Sequence, residues 1–148
     1  MNYLKQAVSG KGKSQMKLTD LPIRKNDSWG SGAFGASRDG RKHNGVDLVV
    51  ATGSAIKATF NGVVTKIGYP YGDDLSYRYV QITNSGYDLR IFYVDPCVSV
   101  GDEVTPETVI GKSQDLNRRY NGITPHVHFE IKHNGEYVDP TPLFLNNA

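Results

Sequence analysis

From Gly45 to the C-terminus, the sequence alternates short runs of β-forming residues with turn signals, and no window keeps a helical periodicity. Asn-Gly pairs supply the positive φ angles of tight hairpin turns. Many short strands separated in this way are typical of an all-β sandwich or a barrel-like domain. The turn signals are Asn61-Gly62, Asn84-Ser85-Gly86 and Asn134-Gly135, and the predicted strands are Val46–Ala51, Ala55–Phe60, Val63–Tyr69, Tyr77–Thr83, Leu89–Val94, Thr108–Gly111, His126–Lys132 and Glu136–Val138.

The length of 148 residues suits one domain. Residues 1–30 are polar and irregular, and we interpret them as an N-terminal arm that serves either as an assembly segment or as a lid. We assign residues 31–148 to a single domain. A longer polar loop, Asp115–Thr124, precedes the last long strand. Because loops of this kind often border a functional site, we expect this one to do so.

The composition excludes several classes of protein. Seventeen Lys and Arg residues against fifteen Asp and Glu residues give a net charge of +2, which is too small for a polybasic protein that binds nucleic acid or a membrane surface. The longest apolar stretch, Val46–Ala51, is too short to span a bilayer. The first residues, MNYLKQAVSGKGKSQ, carry no apolar segment typical of a signal peptide. One cysteine, Cys97, excludes an internal disulfide framework and a Cys-rich zinc site.

Three of the four histidines lie in two short motifs, H-N-G-V-D at residues 43–47 and H-V-H at residues 126–128. The Asn44-Gly45 pair can bend the chain so that the side chains of His43 and Asp47 converge, which a straight strand does not do. Two imidazoles and one carboxylate form a ligand set that suits Zn²⁺. An open fourth position is typical of a catalytic zinc site rather than a structural one.

Alternation within the predicted strand His126–Lys132 places the histidines of the second motif on one face, since alternate side chains of a strand share a face. Two imidazoles on one face lie about 7 Å apart, which suits one metal ligand with the second histidine beside it. A histidine next to a bound metal is placed to act as a general base or to orient a water molecule. The expected core face is Val127, Phe129 and Ile131, and the expected site face is His126, His128, Glu130 and Lys132.

Longer segments carry a family resemblance over roughly residues 30–144. GSGAFGASRDGRKHNGVDL, ATFNGVV, VGDEV, IGK, PHVHFEI and VDPTPLF together resemble the lysostaphin/LytM-type zinc metallopeptidases, the M23 family. By matching position, the resemblance implies that His43, Asp47 and His128 are the zinc ligands and that His126 is a catalytic residue. It also implies a mainly β fold with an antiparallel β-sheet groove, and the cleavage of peptide bonds in bacterial peptidoglycan.

One segment departs from the family pattern. The family carries a further catalytic histidine before the V-G-D turn, whereas this segment reads IFYVDPCVSVGDEV and Asp95 stands near the expected position. FYVDP and YNGITPHVHFE are also similar to animal leukocyte cell-derived chemotaxins, which keep the zinc site and are regarded as binding proteins. Three hypotheses follow: a zinc endopeptidase acting on peptidoglycan peptides, a zinc-stabilised binding or structural module without turnover, and a β domain that binds no metal.

The surroundings of the site and its biological context are also hypotheses at this stage. The Tyr-rich segment with Tyr69, Tyr71, Tyr77 and Tyr79 is either an exposed turn or one wall of a substrate groove. A wall-cutting domain without a signal peptide suits a phage tail component, with other phage tail proteins as partners, or a phage lysis protein. Such a protein acts at the bacterial cell wall after assembly in the host cytoplasm.

Overall fold

The computed structural model describes residues 21–25, 27, 29–38 and 41–141. Within these ranges no helix is long and apolar enough to cross a membrane. The secondary structure of this part of the chain consists of twelve strands, several of them only two or three residues long. They are β1 (Ser37–Arg38), β2 (Arg41–Lys42), β3 (Val46–Val49), β4 (Ala55–Lys57), β5 (Gly62–Gly68), β6 (Tyr79–Asn84), β7 (Tyr87–Phe92), β8 (Val94–Pro96), β9 (Glu103–Val104), β10 (Val109–Ser113), β11 (His126–His133) and β12 (Glu136–Val138).

The strands form antiparallel sheets, which confirms the predicted mainly β architecture. The largest sheet has seven strands in the order β12-β11-β7-β6-β5-β9, with β3 paired to β11 as the seventh. Strand β11 pairs with β7 on one side, and on its other side with β3 first and then with β12. A three-stranded sheet, β4-β10-β8, and a two-stranded sheet, β1-β2, complete the topology. The first half of β11 is therefore held between β3 and β7, near one edge of the large sheet.

Two of the three predicted turns are tight hairpins. Ser85 and Gly86 connect β6 to β7 with φ angles of 53° and 83°, and Asn134 and Gly135 connect β11 to β12 with 53° and 85°. The prediction of a turn at Asn61-Gly62 is wrong, because Gly62 begins β5 and pairs with Val104 of β9. A side chain at Gly62 would collide with the carbonyl oxygen of Thr83. The close approach of β5 and β6 therefore explains why a glycine stands at this position.

The core lies between the large sheet and the three-stranded sheet. In β11 the predicted alternation is confirmed, since Val127, Phe129 and Ile131 are fully buried in the apolar cluster. Because directly opposed residues of paired strands share a face, the neighbouring strands bury their alternate residues in the same cluster. Its other members from the strands are Val46, Leu48, Ile56, Val64, Val80, Ile82, Tyr87, Leu89, Ile91, Val94, Val104 and Ile110.

The segment before β1 packs along β3. Leu21 is a member of the core cluster, and Ile23 forms an isolated β-bridge with Leu48. The amide of Val49 donates a hydrogen bond to the carbonyl oxygen of Pro22 at 2.8 Å. These residues belong to the predicted arm, and they extend the edge of the large sheet. The first twenty residues of that arm lie outside the described residues.

Candidate metal centre and active-site cleft

Three side chains from the two histidine motifs converge at the edge of the large sheet. The register of β3 and β11 places Asp47 directly opposite His128, and His43 comes from the segment just before β3. The distances are 3.2 Å from His43 Nε2 to Asp47 Oδ1, 3.0 Å from His43 Nε2 to His128 Nδ1, and 2.9 Å from His128 Nδ1 to Asp47 Oδ1. Their donor atoms form a nearly equilateral triangle, and within the described ranges this is the group of side chains that could hold a metal ion.

Each histidine of this triangle has its second ring nitrogen occupied. Nδ1 of His43 donates to the carbonyl oxygen of Ala33 at 3.0 Å, which leaves the lone pair of Nε2 directed into the triangle. Nε2 of His128 lies 2.8 Å from Oε1 of Glu130, so Nδ1 faces the triangle. Outer partners of this kind set the tautomer and the ring orientation of metal-binding histidines. Glu130 lies on the face predicted for it, two residues along β11 from His128.

The carboxylate of Asp47 is shared between the triangle and a buried arginine. Oδ1 faces the two histidines, whereas Oδ2 accepts hydrogen bonds from Nε and Nη2 of Arg24 at 3.2 and 3.0 Å. Arg24 is only 2% exposed, and its Nη1 donates to Asp27 Oδ1 at 2.7 Å and to the carbonyl oxygen of Gly30 at 2.9 Å. Both oxygens of Asp47 are therefore used, and its orientation is fixed from the side of the N-terminal segment.

Burial and charge act in opposite directions on these groups. Burial opposes ionisation of Asp47, but hydrogen bonds from His128 and His43 outweigh it and hold the pKa of Asp47 well below its usual range. Burial likewise lowers the pKa of His128, but Asp47 and Glu130 outweigh it and raise the pKa of His128 to about 9. In the metal-free protein the raised pKa favours the protonated ring, whose Nδ1 lies 2.9 Å from Oδ1 of Asp47.

His126 lies beside the triangle without joining it. Its Nδ1 donates to the carbonyl oxygen of Thr124 at 2.7 Å, and its Nε2 lies 3.6 Å from Oδ2 of Asp47. Burial lowers the pKa of His126, and Asp47 offsets this only in part. The ring is thus neutral at pH 7, with the lone pair of Nε2 available to accept a proton. The amide of Thr124 donates to Asp27 at 2.9 Å, so the carboxylate that holds Arg24 also holds the partner of His126.

The donor triangle and His126 lie in a cleft with a volume of about 830 Å³. The loop Asp115–Thr124 contributes Tyr120 and Ile123 to its lining, which confirms that this loop borders the site. Of the Tyr-rich segment, only Tyr71 lines the cleft. Tyr77 is fully buried and contacts Tyr71 edge to face, with ring centroids 5.7 Å apart. The remaining lining residues are Arg24, Trp29, His43, Asn44, Asp47, Pro70, Phe92, Tyr93, His126, His128 and Glu130.

The placement of Asp95 near the position of a missing catalytic histidine is corrected by the structure. Asp95 of β8 is exposed, lies opposite Lys112 of β10, and does not line the cleft. Tyr93 faces the cleft instead. Its φ angle of 73° interrupts the strand between β7 and β8, which changes the alternation of side chains at this point. Sequence alignment alone follows residue spacing and does not detect such an interruption.

Gly45 is expected to be intolerant of any side chain. A Cβ atom there would collide with the carbonyl oxygen of Phe129 and lie 2.8 Å from Cβ of Glu130 and 3.0 Å from Cε1 of His128. Gly45→Ala therefore separates β3 from β11 at the donor triangle, and we expect it to lower the free energy of unfolding by at least 1–3 kcal/mol. Chemical denaturation measures the change. Gly72→Ala is the matched control, because open space surrounds Gly72, and an equal loss in both variants would contradict the steric explanation.

Arg24, Asp27 and Trp29 are site residues that sequence reasoning missed. They lie in the polar stretch interpreted as part of an arm, and no local motif distinguishes them from other charged or aromatic residues. Trp29 donates from Nε1 to the carbonyl oxygen of Asn121 at 3.1 Å, and its ring contacts Tyr120 edge to face at 5.1 Å. The N-terminal segment thereby forms one wall of the cleft.

An antiparallel β domain whose cleft contains a His–Asp–His triangle and a neighbouring histidine is a metallopeptidase-like domain. The chain belongs to Peptidase family M23, whose family profile matches residues 41–140. The fold and the family are thus those that the sequence resemblance predicted.

Individual relatives agree with this assignment. Leukocyte cell-derived chemotaxin-2 of Mus musculus is 33% identical over 120 residues, which make up 80% of this chain and 77% of that protein. The structure of LytU is 26% identical, with a TM-score of 0.62 and 90% of each chain covered. The antimicrobial peptidase lysostaphin from Staphylococcus simulans shares the fold, with a TM-score of 0.65 and 23% identity. The match covers 86% of this chain and 51% of lysostaphin, so the chain spans about half of its length.

Proposed function

We propose that the chain is a zinc-dependent endopeptidase that hydrolyses peptide bonds of bacterial peptidoglycan. The observation that carries this proposal is a donor triangle that opens into a large cleft with a neutral histidine at its side. The likeness in fold to lysostaphin and LytU supports the class of substrate. We assign His43, Asp47 and His128 as the metal ligands and His126 as the catalytic base.

The residues present fit a zinc ion. A tetrahedral ion with bonds of about 2.0–2.1 Å separates its ligand atoms by about 3.3 Å, close to the sides of the triangle. Each ligand also has the outer hydrogen bond that a zinc ligand needs: Ala33 for His43, Glu130 for His128, and Arg24 for Asp47. Three protein ligands with a side open to the cleft match a catalytic site rather than a closed structural one.

A bound zinc ion lowers the pKa of a water molecule and polarises a carbonyl oxygen. The chain supplies the remaining functions. Nε2 of His126 accepts a proton from the attacking water, and the hydrogen bond from Nδ1 to Thr124 keeps the ring in the required tautomer.

Incubation of the zinc-loaded protein with purified peptidoglycan tests the proposal. We expect new amino groups to be released, and we expect release to stop after chelation and to return when zinc is restored. His133→Ala is the control for general effects of histidine removal, since His133 stacks on Tyr87 outside the cleft. Absence of zinc-dependent release from peptidoglycans of different cross-bridge types would contradict the enzymatic function.

The second candidate is a zinc-stabilised binding or structural module without turnover. Two observations favour it: the identity of 33% to the chemotaxin of Mus musculus, and a tyrosine rather than a histidine beside His126. This function requires one tightly bound zinc ion and a large loss of thermal stability on chelation, with no cleavage. Binding of the zinc-loaded protein to peptidoglycan without release of amino groups would support this candidate over the first.

The predicted role in a phage tail or in a phage lysis system stays a prediction, as do phage tail proteins as partners. Mass spectrometry of purified virions tests the first of these. Peptides from this chain at a constant ratio to the tail proteins would support a virion component, whereas their absence from virions that package and infect normally would contradict it.

Metal uptake is expected to depend steeply on pH, because the metal must displace the proton of His128. The pKa of about 9 predicts that zinc affinity rises about tenfold per pH unit up to that value. In the metal-free protein the sign is opposite: the raised pKa stabilises the fold below about pH 6.5, and this contribution is lost as the pH rises through about 9. Competition with a chromophoric chelator and thermal unfolding after chelation measure the two trends. A zinc affinity independent of pH, after correction for the chelator, would contradict this.

A further inference from the structure

Tyr93 occupies a backbone conformation that is rare for a bulky side chain. Its φ angle is 73°, and such outliers persist only where the surrounding structure holds them. Here the amide of Tyr93 donates to the carbonyl oxygen of Arg78 at 2.8 Å, and its carbonyl oxygen accepts from the amide of Gln114 at 2.9 Å. The conformation turns the ring into the cleft, where it contacts His126 edge to face with centroids 5.8 Å apart. Strained residues held in this way occur preferentially at functional sites.

The Tyr93 hydroxyl ends a chain of three hydroxyl groups. Tyr71 Oη lies 3.1 Å from Tyr93 Oη and 2.6 Å from Tyr120 Oη. At the far end, Nε of Arg119 donates to Tyr120 Oη at 3.4 Å. Three hydroxyl groups carry three protons, and the two hydrogen bonds between them use two. The cationic donor Arg119 favours the direction in which Tyr120 donates to Tyr71 and Tyr71 donates to Tyr93, and in that direction the third proton remains on Tyr93.

Tyr93 lines the same cleft as the donor triangle and His126, so this proton is available within the proposed active site. Burial raises the pKa of Tyr93 and outweighs the hydrogen bond with Tyr71, which lowers it, and the carboxylates of Asp47 and Glu130 add to the rise. Burial and the neighbouring tyrosine also raise the pKa of Tyr71. The hydroxyl groups of Tyr93 and Tyr71 therefore stay protonated at neutral pH. Acyl transfer needs a hydrogen-bond donor for the oxygen on which negative charge develops. The neutral Tyr93 hydroxyl, held beside the proton acceptor His126, can be this donor.

We propose that the Tyr93 hydroxyl donates a hydrogen bond to the oxygen of the scissile carbonyl group as that oxygen becomes negatively charged. This inference rests on the proposed function and deepens it. Tyr93, rather than Asp95, then takes the role of the further catalytic histidine that the family pattern has before the V-G-D turn. For this step Tyr71 and Tyr120 are positioning residues, since their hydroxyl groups orient the Tyr93 hydroxyl through the hydrogen-bond chain.

Tyr93→Phe tests the proposal, because it removes the hydroxyl group and keeps the ring against His126. The probe is a glycyl-glycine phosphinic dipeptide, whose charged phosphinyl oxygens imitate the tetrahedral oxyanion. We expect the affinity of the zinc-loaded variant for this probe to fall about 10²-fold, by calorimetry, with zinc content and thermal midpoint unchanged. On peptidoglycan peptides, we expect kcat to fall by a similar factor with KM unchanged. Tyr79→Phe is the control, since Tyr79 packs on Phe92 and does not line the cleft.

Two further variants locate the donor. Tyr93→His restores a donor in a residue type that tolerates positive φ, and it is expected to recover most of the affinity lost in Tyr93→Phe. Asp95→His is expected to change nothing, because Asp95 is exposed outside the cleft. Tyr71→Phe is expected to weaken binding of the probe, and a gain in affinity would show that Tyr93 donates to Tyr71 and would overturn the inference.

The outcomes for Tyr93 and for the proposed function are distinguishable. Unchanged affinity of Tyr93→Phe for the phosphinic dipeptide would overturn the donor assignment even if the native protein cleaves peptidoglycan, and so would failure of the native protein to bind the probe. A loss of affinity in a protein that cleaves no peptidoglycan would support the donor assignment while it contradicts the endopeptidase function.

Discussion

Replacing Asp47 with alanine is expected to abolish zinc binding and to lower the free energy of unfolding by about 3–5 kcal/mol. The side chain makes two sets of buried contacts: Oδ1 faces His43 and His128, and Oδ2 accepts two hydrogen bonds from Arg24. Its removal takes a carboxylate from the metal site and leaves a guanidinium that is 2% exposed without one of its two carboxylate partners. Metal analysis after gel filtration and chemical denaturation of the chelated protein measure the two losses separately.

Asp47→Asn separates the two roles of this residue. An amide has one acceptor oxygen, so it can satisfy either Arg24 or the donor triangle, whereas the carboxylate satisfies both. We expect the asparagine variant to keep more of the stability than Asp47→Ala but to lose zinc to the same degree. Asp95→Ala is the matched control, as an exposed aspartate outside the cleft. Full occupancy by zinc in Asp47→Asn would contradict the assignment of Asp47 as a metal ligand.

Much of the fold follows from local pattern. The alternation of Val127, Phe129 and Ile131 with polar residues predicts both the strand and its buried face, because the side-chain period of a strand is two. The predicted run Leu89–Val94 instead divides into β7 and β8 at Tyr93. Its composition is strand-like throughout, so propensity contains no sign of the interruption. The hydrogen bonds to Arg78 and Gln114 that hold this conformation come from residues distant in sequence.

The donor triangle was accessible to prediction, but the side chains that support it were not. His43, Asp47 and His128 come from two motifs whose ligand types and order carry chemical information. Arg24 and Asp27 have no such signal, since their role arises only when the N-terminal segment packs along β3 and beside the loop before β11. Long-range contacts of this kind depend on tertiary structure, and a polar stretch of sequence does not reveal them.

Asp27 connects the metal ligand Asp47 to the proposed base His126 through hydrogen bonds. One oxygen accepts from Arg24, which orients Asp47, and the other accepts from the amide of Thr124, whose carbonyl oxygen orients His126. Burial opposes ionisation of Asp27, but the hydrogen bonds from Thr124, Trp29 and Arg24 outweigh it and lower the pKa of Asp27 to about 2. The carboxylate thus stays ionised at any pH at which the protein works, and it keeps the metal ligand and the proposed base in a constant relative position.

Replacing His126 with alanine is expected to reduce kcat by about 10²–10⁴-fold while zinc content stays complete. The reason is that the two histidines of the H-V-H motif have different positions. His128 is in the donor triangle, whereas Nε2 of His126 lies 3.6 Å from Asp47 Oδ2 and can accept a proton. Single-turnover cleavage of a peptidoglycan peptide measures the loss, and metal analysis of the same sample shows that the site is filled. His128→Ala is the contrasting variant, because it is expected to lose zinc and activity together.

The pH profile gives this assignment a second, independent test. Burial lowers the pKa of His126, so the neutral ring required of a base is already present at pH 7, and the acidic limb of kcat/KM must lie below the ordinary histidine value of 6.5. His126→Gln keeps a side chain of similar reach but cannot accept a proton at neutral pH, and that limb is expected to disappear with it. His133→Ala is expected to leave the profile unchanged. A zinc-filled His126→Gln variant that retains more than about a tenth of the activity would exclude His126 as the base, since general bases contribute at least about 10²-fold.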